Sequence, residues 1–190
     1  RYTWTHAGAE SQRTLQRVFK LGLEAGAGTI MLLADDYVPH EGRNRMNFSL
    51  YVPEDRKRFV NLQTAQAHVI NRLKAWIDRD YPGTRFEFCP PWYLNEFIDR
   101  SEGKAEIYMK ELTALIPQEI AIIWTGPTVR SLSIDMADLR RYRDLKHQLG
   151  PLFFEPEVLM DGEHSIEQCE VVTEATLREV FAALAAQRVI

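Results

Sequence analysis

Two short runs of this chain, residues 29–34 and 120–124, are apolar at almost every position instead of alternating with polar residues. A strand wetted on one face alternates, whereas a continuous run suits a parallel strand covered on both faces. Around these runs, apolar residues recur at helical spacing. They are Leu15, Val18, Phe19 and Leu23; then Leu62, Ala65, Val69, Leu73, Trp76 and Ile77; then Tyr108, Met109, Leu112 and Leu115; and finally Met136, Leu139, Tyr142 and Leu145. A further strand is read at 85–89, where Pro90 and Pro91 forbid extension. A short strand at 1–5 leads into the turn His6-Ala7-Gly8. Strand and helix alternate with a period of roughly 35–45 residues, which indicates βαβ units with right-handed crossovers. The fold class is α/β with parallel strands. On periodicity alone a barrel and an open sheet both fit, and in either case the strand C-termini gather on one edge where loops build a site.

Composition narrows the class. The chain has 190 residues, a formal charge of −4 and 45% hydrophobic residues, which suits one compact soluble domain with a sizeable core. Basic residues are scattered among acidic ones, so no footprint for a phosphate backbone appears and nucleic acid is not expected as a partner. No stretch approaches the run of about 20 apolar residues that spans a bilayer. Cys89 and Cys169 lack the CxxC spacing of a zinc site. The chain begins at Arg1 without a visible targeting pattern, and the compartment stays open.

Special residues collect at the strand ends: Asp35-Asp36, then Cys89-Pro90-Pro91-Trp92-Tyr93, then Trp124-Thr125-Gly126-Pro127. The polar connection from Pro39 through Arg58 is longer than the roughly 2–6 residues usual for a βα loop, and long loops there carry function. The run Met31-Leu32-Leu33-Ala34 stops on two adjacent carboxylates. Neighbouring strand residues point to opposite faces, so Asp35 and Asp36 can share a pocket only where the chain bends. Two carboxylates a few ångströms apart resist double ionisation, so one keeps its proton beside a charged partner, the division of labour that glycoside hydrolysis requires. Two other readings of the pair stay open: aspartates that cap a turn or meet solvent, and a divalent-metal site with His40 and Glu41.

Taken together, Leu33-Ala34-Asp35-Asp36, Phe88-Cys89-Pro90-Pro91-Trp92-Tyr93 and Ile123-Trp124-Thr125-Gly126-Pro127-Thr128-Val129 resemble the catalytic domain of family 84 glycoside hydrolases, the β-N-acetylglucosaminidase and O-GlcNAcase group. The segment Gln66-Ala67-His68-Val69-Ile70-Asn71-Arg72-Leu73 also resembles the helix that follows the family's aspartate pair. The resemblance runs from about Tyr2 to Leu149. It implies a (β/α)8 barrel of the TIM type, present here as a partial or truncated one. The implied activity is retaining removal of β-linked N-acetylglucosamine, with the substrate's acetamido oxygen as nucleophile and no metal or cofactor. On this resemblance Asp35 holds the acetamido N–H and stabilises the oxazoline-like intermediate, and Asp36 is the acid and then the base. Tyr93 hydrogen-bonds near the anomeric centre, Cys89 lines the acetamido pocket, and Val129 lines the wall. Trp124 is placed either in the substrate pocket or in the core beneath it, the core being the better reading. A glycan or glycoprotein bearing N-acetylglucosamine is the implied partner.

The resemblance is incomplete. The family's Gly-rich first strand and second-strand lysine do not precede Arg1, and no Trp-Asp-Asn motif can be placed where Gly150 runs into Pro151-Leu152-Phe153-Phe154-Glu155-Pro156-Glu157. Residues 1–150 are read as β/α units of the barrel. Residues 151–190, with a helix from near Thr173, either complete the barrel or follow it. A partial barrel exposes sheet edges, so self-association is expected. The alternative to a hydrolase is a catalytically incomplete glycan-binding or scaffold domain on the same framework.

Overall fold

The computed structural model describes residues 4–35, 48–128, 131, 135–145 and 152–154. Helix α1 spans Ala9–Glu24, strand β1 Thr29–Leu33, helix α2 Pro53–Arg58, helix α3 Leu62–Asp80 and strand β2 Arg85–Cys89. Helix α4 (Asn95–Asp99), helix α5 (Lys104–Leu115), strand β3 (Ala121–Trp124), helix α6 (Met136–Leu145) and strand β4 (Leu152–Phe154) follow. The strands form one sheet in the order β1-β2-β3-β4, each parallel to its neighbour. Sequential order without reversal, combined with right-handed crossovers, places every crossover on the same side of the sheet. The fold is α/β with a parallel sheet, wound in one direction.

Most expected elements lie where the periodicity places them. The expected strand at 1–5 falls on residues 1–3, which lie outside the described residues, and on Trp4 and Thr5, which are not in a strand. The helix from Thr173 also lies outside them. The long connection before α3 holds two elements that periodicity misses, a single 3-10 turn at Phe48–Leu50 and α2. The sequence Pro-Glu-Asp-Arg-Lys-Arg has no apolar stripe, yet Pro at the first helical position and acids before bases are start and stop signals. Helix α4 has five residues, too few to show a period.

The sheet has two distinct faces. Ile30, Phe86, Phe88, Ile122 and Trp124 join the large core with Leu62, Ile70, Leu73, Ile77, Tyr108, Met109 and Leu112 of α3 and α5. Cys89, Tyr93, Leu94 and Ile123 form a second cluster, with Met31 and Phe97 packed against it. The register sets these faces: Met31 lies beside Glu87 and Leu33 beside Cys89, while Leu32 lies beside Phe88. Helix α3 is anchored at its start by a capping box, in which Asn61 Oδ1 accepts from Thr64 N–H and Thr64 Oγ1 accepts from Asn61 N–H. Glu111 of α5 accepts from Asn61 Nδ2 and Gln63 Nε2, tying the two helices together. The apolar stripe of α1 is covered only in part: Leu23 is buried, Leu15 and Phe19 are packed at the margin of the core, and Val18 is exposed.

Candidate active site

Strand β1 ends at Leu33, and the Ala34 N–H still donates to Cys89 O at 2.9 Å, so β1 and β2 remain paired up to the bend that begins at Asp35. Ile30, Leu32 and Ala34 turn toward the helix layer. The same alternation puts Met31 and Leu33 on the opposite face, and Asp35 follows two residues on, at the bend past the strand end. That face carries Cys89 and, beyond the strand end, Tyr93. Asp35 is half-buried. Asp36 and Val129 lie outside the described residues, as do His40 and Glu41 of the metal reading.

Cys89 is a buried thiol whose Sγ lies 3.9 Å from Pro90 O. Tyr93 is 7% exposed, meets Phe97 edge to face at 5.4 Å, and accepts the Thr125 N–H at its carbonyl. Leu94 bridges to Gly126 as an isolated parallel pair, which brings the loops after β2 and β3 side by side at the C-terminal edge. Gly126 takes φ of 121°, a conformation that L side chains rarely adopt, and this explains the glycine of the Thr-Gly-Pro motif.

Trp124 belongs elsewhere. It is fully buried on the helix side of β3, stacks on Tyr142 with centroids 5.8 Å apart, and donates from Nε1 to Asn95 Oδ1 at 3.1 Å. Asn95 Nδ2 in turn donates to Asp138 Oδ1, and the single Tyr142 O–H is shared between the carbonyls of Trp92 and Ile123, at 3.1 and 3.2 Å. Its assignment to the substrate pocket is thus replaced by a role in the core, which locks α6 to the floor of the site. Trp124→Phe keeps an aromatic ring but loses the second fused ring and leaves Asn95 Oδ1 without this donor. We expect a loss of about 2–4 kcal/mol in urea unfolding, from the broken bond and the cavity left in a fully buried site together, with sugar affinity unchanged by calorimetry.

One residue escaped the sequence reading. Glu87 is 2% exposed and sits on the Cys89 face of β2, between Met31 and Ala121 in the register. A carboxylate inside a buried parallel strand was the available signal, because such a charge is costly without a purpose. Among the described residues no group of three or more His, Cys, Asp or Glu is arranged to hold a metal ion. No described helix is long and apolar enough to cross a membrane.

The profile of one protein family, described as beta-N-acetylglucosaminidase, matches residues 2–154. The chain belongs to the beta-N-acetylglucosaminidase family. As a member of that family it is similar in structure to a mutant of the O-GlcNAc hydrolase of Thermobaculum terrenum, with a TM-score of 0.65 and 22% identity over 83% of this chain and 30% of that one. At this identity the likeness speaks for the fold alone. A second profile, class-I fructose-bisphosphate aldolase, matches residues 120–190 and overlaps the first across β3, α6 and β4. Curated relatives of this second kind include a probable fructose-bisphosphate aldolase class 1 of Xanthomonas campestris pv. campestris, 53% identical over 105 residues. A protein of the same description from Xylella fastidiosa is 37% identical over 106 residues. These alignments cover 53% and 54% of this acetylglucosaminidase-family chain, which spans about a third (31%) of the length of each aldolase.

Proposed function

We propose that the chain is the catalytic part of a retaining β-N-acetylglucosaminidase built on a (β/α)8-type barrel. What supports this reading is that the β1 and β2 ends meet at one edge of the sheet, with Leu33 paired to Cys89, Asp35 two residues beyond Leu33 and Tyr93 clustered with Cys89, all within the span of the family's profile. The substrate's acetamido oxygen attacks the anomeric carbon and forms a cyclic oxazoline-like intermediate. Asp35 holds the acetamido N–H and balances the developing charge. Asp36 protonates the leaving oxygen, then takes a proton from the water that opens the ring, so one carboxyl serves both half-reactions. Tyr93 donates near the anomeric centre, and the Cys89 thiol and Val129 shape the pocket for the acetamido methyl. Residues 151–190 complete or follow the barrel in this reading, and exposed sheet edges favour pairing with a second copy.

Incubation with a nitrophenyl β-N-acetylglucosaminide tests the activity, and release of the phenol is the expected result. Sugar binding without release would favour the alternative, a glycan-binding scaffold on the same framework. The aldolase likeness supports a second reading, cleavage of fructose bisphosphate. However, its profile starts at residue 120, after the Asp35 and Cys89 strand ends. A coupled aldolase assay is expected to show no turnover, and turnover there would move the function to the C-terminal part. Light scattering is expected to give a mass above that of a monomer; a clean monomer would remove the proposed edge pairing.

A further inference from the structure

Tyr93 sits in the short connection 90–94 between β2 and α4, and hydrogen bonds hold that connection on both sides of it. The fully buried Tyr142 hydroxyl of α6 reaches the Trp92 carbonyl at 3.1 Å and the Ile123 carbonyl at 3.2 Å. The Thr125 N–H donates to the Tyr93 carbonyl at 2.9 Å, the Asn95 N–H to Gly126 O at 3.2 Å and the Glu96 N–H to Pro127 O at 2.9 Å. The chain after β2 is thus laced to the chain after β3 by backbone bonds, and Tyr142 adds a side-chain bond where the lacing starts.

The consequence falls on Tyr93. The Trp92 carbonyl lies in the peptide plane that enters Tyr93, and the Tyr93 carbonyl lies in the plane that leaves it. Peptide units are planar, so fixing both planes leaves φ and ψ of the residue between them little freedom, and with them the direction of its Cα–Cβ bond. Tyr142 holds the first plane and Thr125 the second. Beyond Cβ, Phe97 meets the Tyr93 ring edge to face at 5.4 Å. Without the Tyr142 O–H, the first plane would depend on the packing of the Trp92 ring against Tyr108, with centroids 4.9 Å apart. Tyr142 is itself held firmly, stacked on Trp124, while the Asn95 bond to Asp138 ties α4 to α6. Burial pushes its phenol well above the ordinary 10, so it remains a donor far past neutral pH.

We infer that Tyr142 is a positioning residue for Tyr93: its hydroxyl fixes the peptide plane that enters Tyr93 and so sets the direction in which the Tyr93 side chain leaves the backbone. The inference rests on the proposed hydrolase reading for its catalytic consequence, but not for its structural part.

The test compares Tyr142→Phe with a control, Tyr108→Phe, and repeats Tyr142→Phe in a Tyr93→Phe background. Both single variants lose one buried phenol O–H and keep the ring, so Tyr142→Phe retains its stack on Trp124. Tyr108 donates to the Gln66 side chain on α3 instead of to the connection, so its variant reports a general loss of stability. Amide exchange at Thr125 should rise about tenfold in Tyr142→Phe, with the Ala34 amide unchanged, and Tyr108→Phe should leave Thr125 as it is. On the aryl glycoside, kcat should fall about tenfold in Tyr142→Phe with KM nearly constant, because a misplaced group loses transition-state contacts. In the Tyr93→Phe background the same substitution should cost less than about twofold, because the hydroxyl it positions is already gone. An equal loss of kcat in both backgrounds would reduce Tyr142 to a residue of the core and overturn the positioning role. Unchanged exchange at Thr125, or an equal rise in Tyr108→Phe, would overturn it whatever the activity. Exchange that rises as expected in a protein releasing no sugar would sustain the hold on Tyr93 and remove the hydrolase reading instead.

Discussion

Asp36→Ala is expected to slow hydrolysis of an alkyl β-N-acetylglucosaminide by on the order of 10²–10⁴-fold, the usual worth of a positioned acid. A nitrophenyl glycoside should lose much less in its first half-reaction, because its leaving oxygen departs without a proton. Asp35→Ala should behave differently. An anion that holds the acetamido group is needed whatever the aglycone, so both substrates should slow together. Comparing kcat/KM for the two glycosides in the two variants separates the roles. If Asp36→Ala affected both substrates equally, the assignment of acid and stabiliser would be wrong. This division suits the place where β1 ends. Alternation sends Ala34 into the helix core, and Asp35 follows it at the bend past the end of β1.

The second large effect concerns stability. Burial by itself pushes the Asp55 carboxyl up, but the bonds from the His6 ring, Thr5 Oγ1 and the His6 and Ala7 amides outweigh it and leave the group at about 2, below its ordinary 3.8. A depressed carboxyl binds fewer protons folded than unfolded, so its stabilisation is fully present above its ordinary value and is lost as pH falls toward the folded one. The difference corresponds to about 2.5 kcal/mol, fading between about pH 5 and pH 2. His68 acts in the same direction at higher pH. Burial, then Arg58, Arg72 and His6, lower its affinity for a proton, so acid begins to cost stability as pH drops below its ordinary 6.5.

Asp55→Asn should expose the Asp55 contribution. An amide offers one acceptor, whereas the site has an amide N–H on each oxygen, from His6 and from Ala7. Either flip of the amide sets an NH2 against a backbone N–H. We expect a loss of about 3 kcal/mol at pH 7, or a Tm lower by roughly 6–12 °C for a domain of this size. The gap between wild type and variant should narrow below about pH 4, where the unfolded chain's carboxyl takes up a proton that the folded one still refuses. A constant gap from pH 7 to pH 3 would show that the carboxylate charge is not what holds the turn.

Local pattern alone settled a good deal. The apolar run of β1, the stripes of α1, α3, α5 and α6 and the prolines after Cys89 are short-range signals, and they place the elements, the parallel order and Asp35 at a strand end. The family was legible for the same reason, because its motifs are contiguous pieces at three strand ends. Tertiary structure decided which face each residue takes. In a strand apolar on both sides, such as Ala121–Trp124, period two gives no contrast, so only pairing and the helix layer could send Trp124 into the core and Ile123 to the other side. Glu87 gained its place beside Cys89 the same way. The bonds from Thr5, His6 and Ala7 to Asp55 join residues 48 to 50 positions apart, and no periodicity reports a bond whose partners meet only after the chain has folded back on itself.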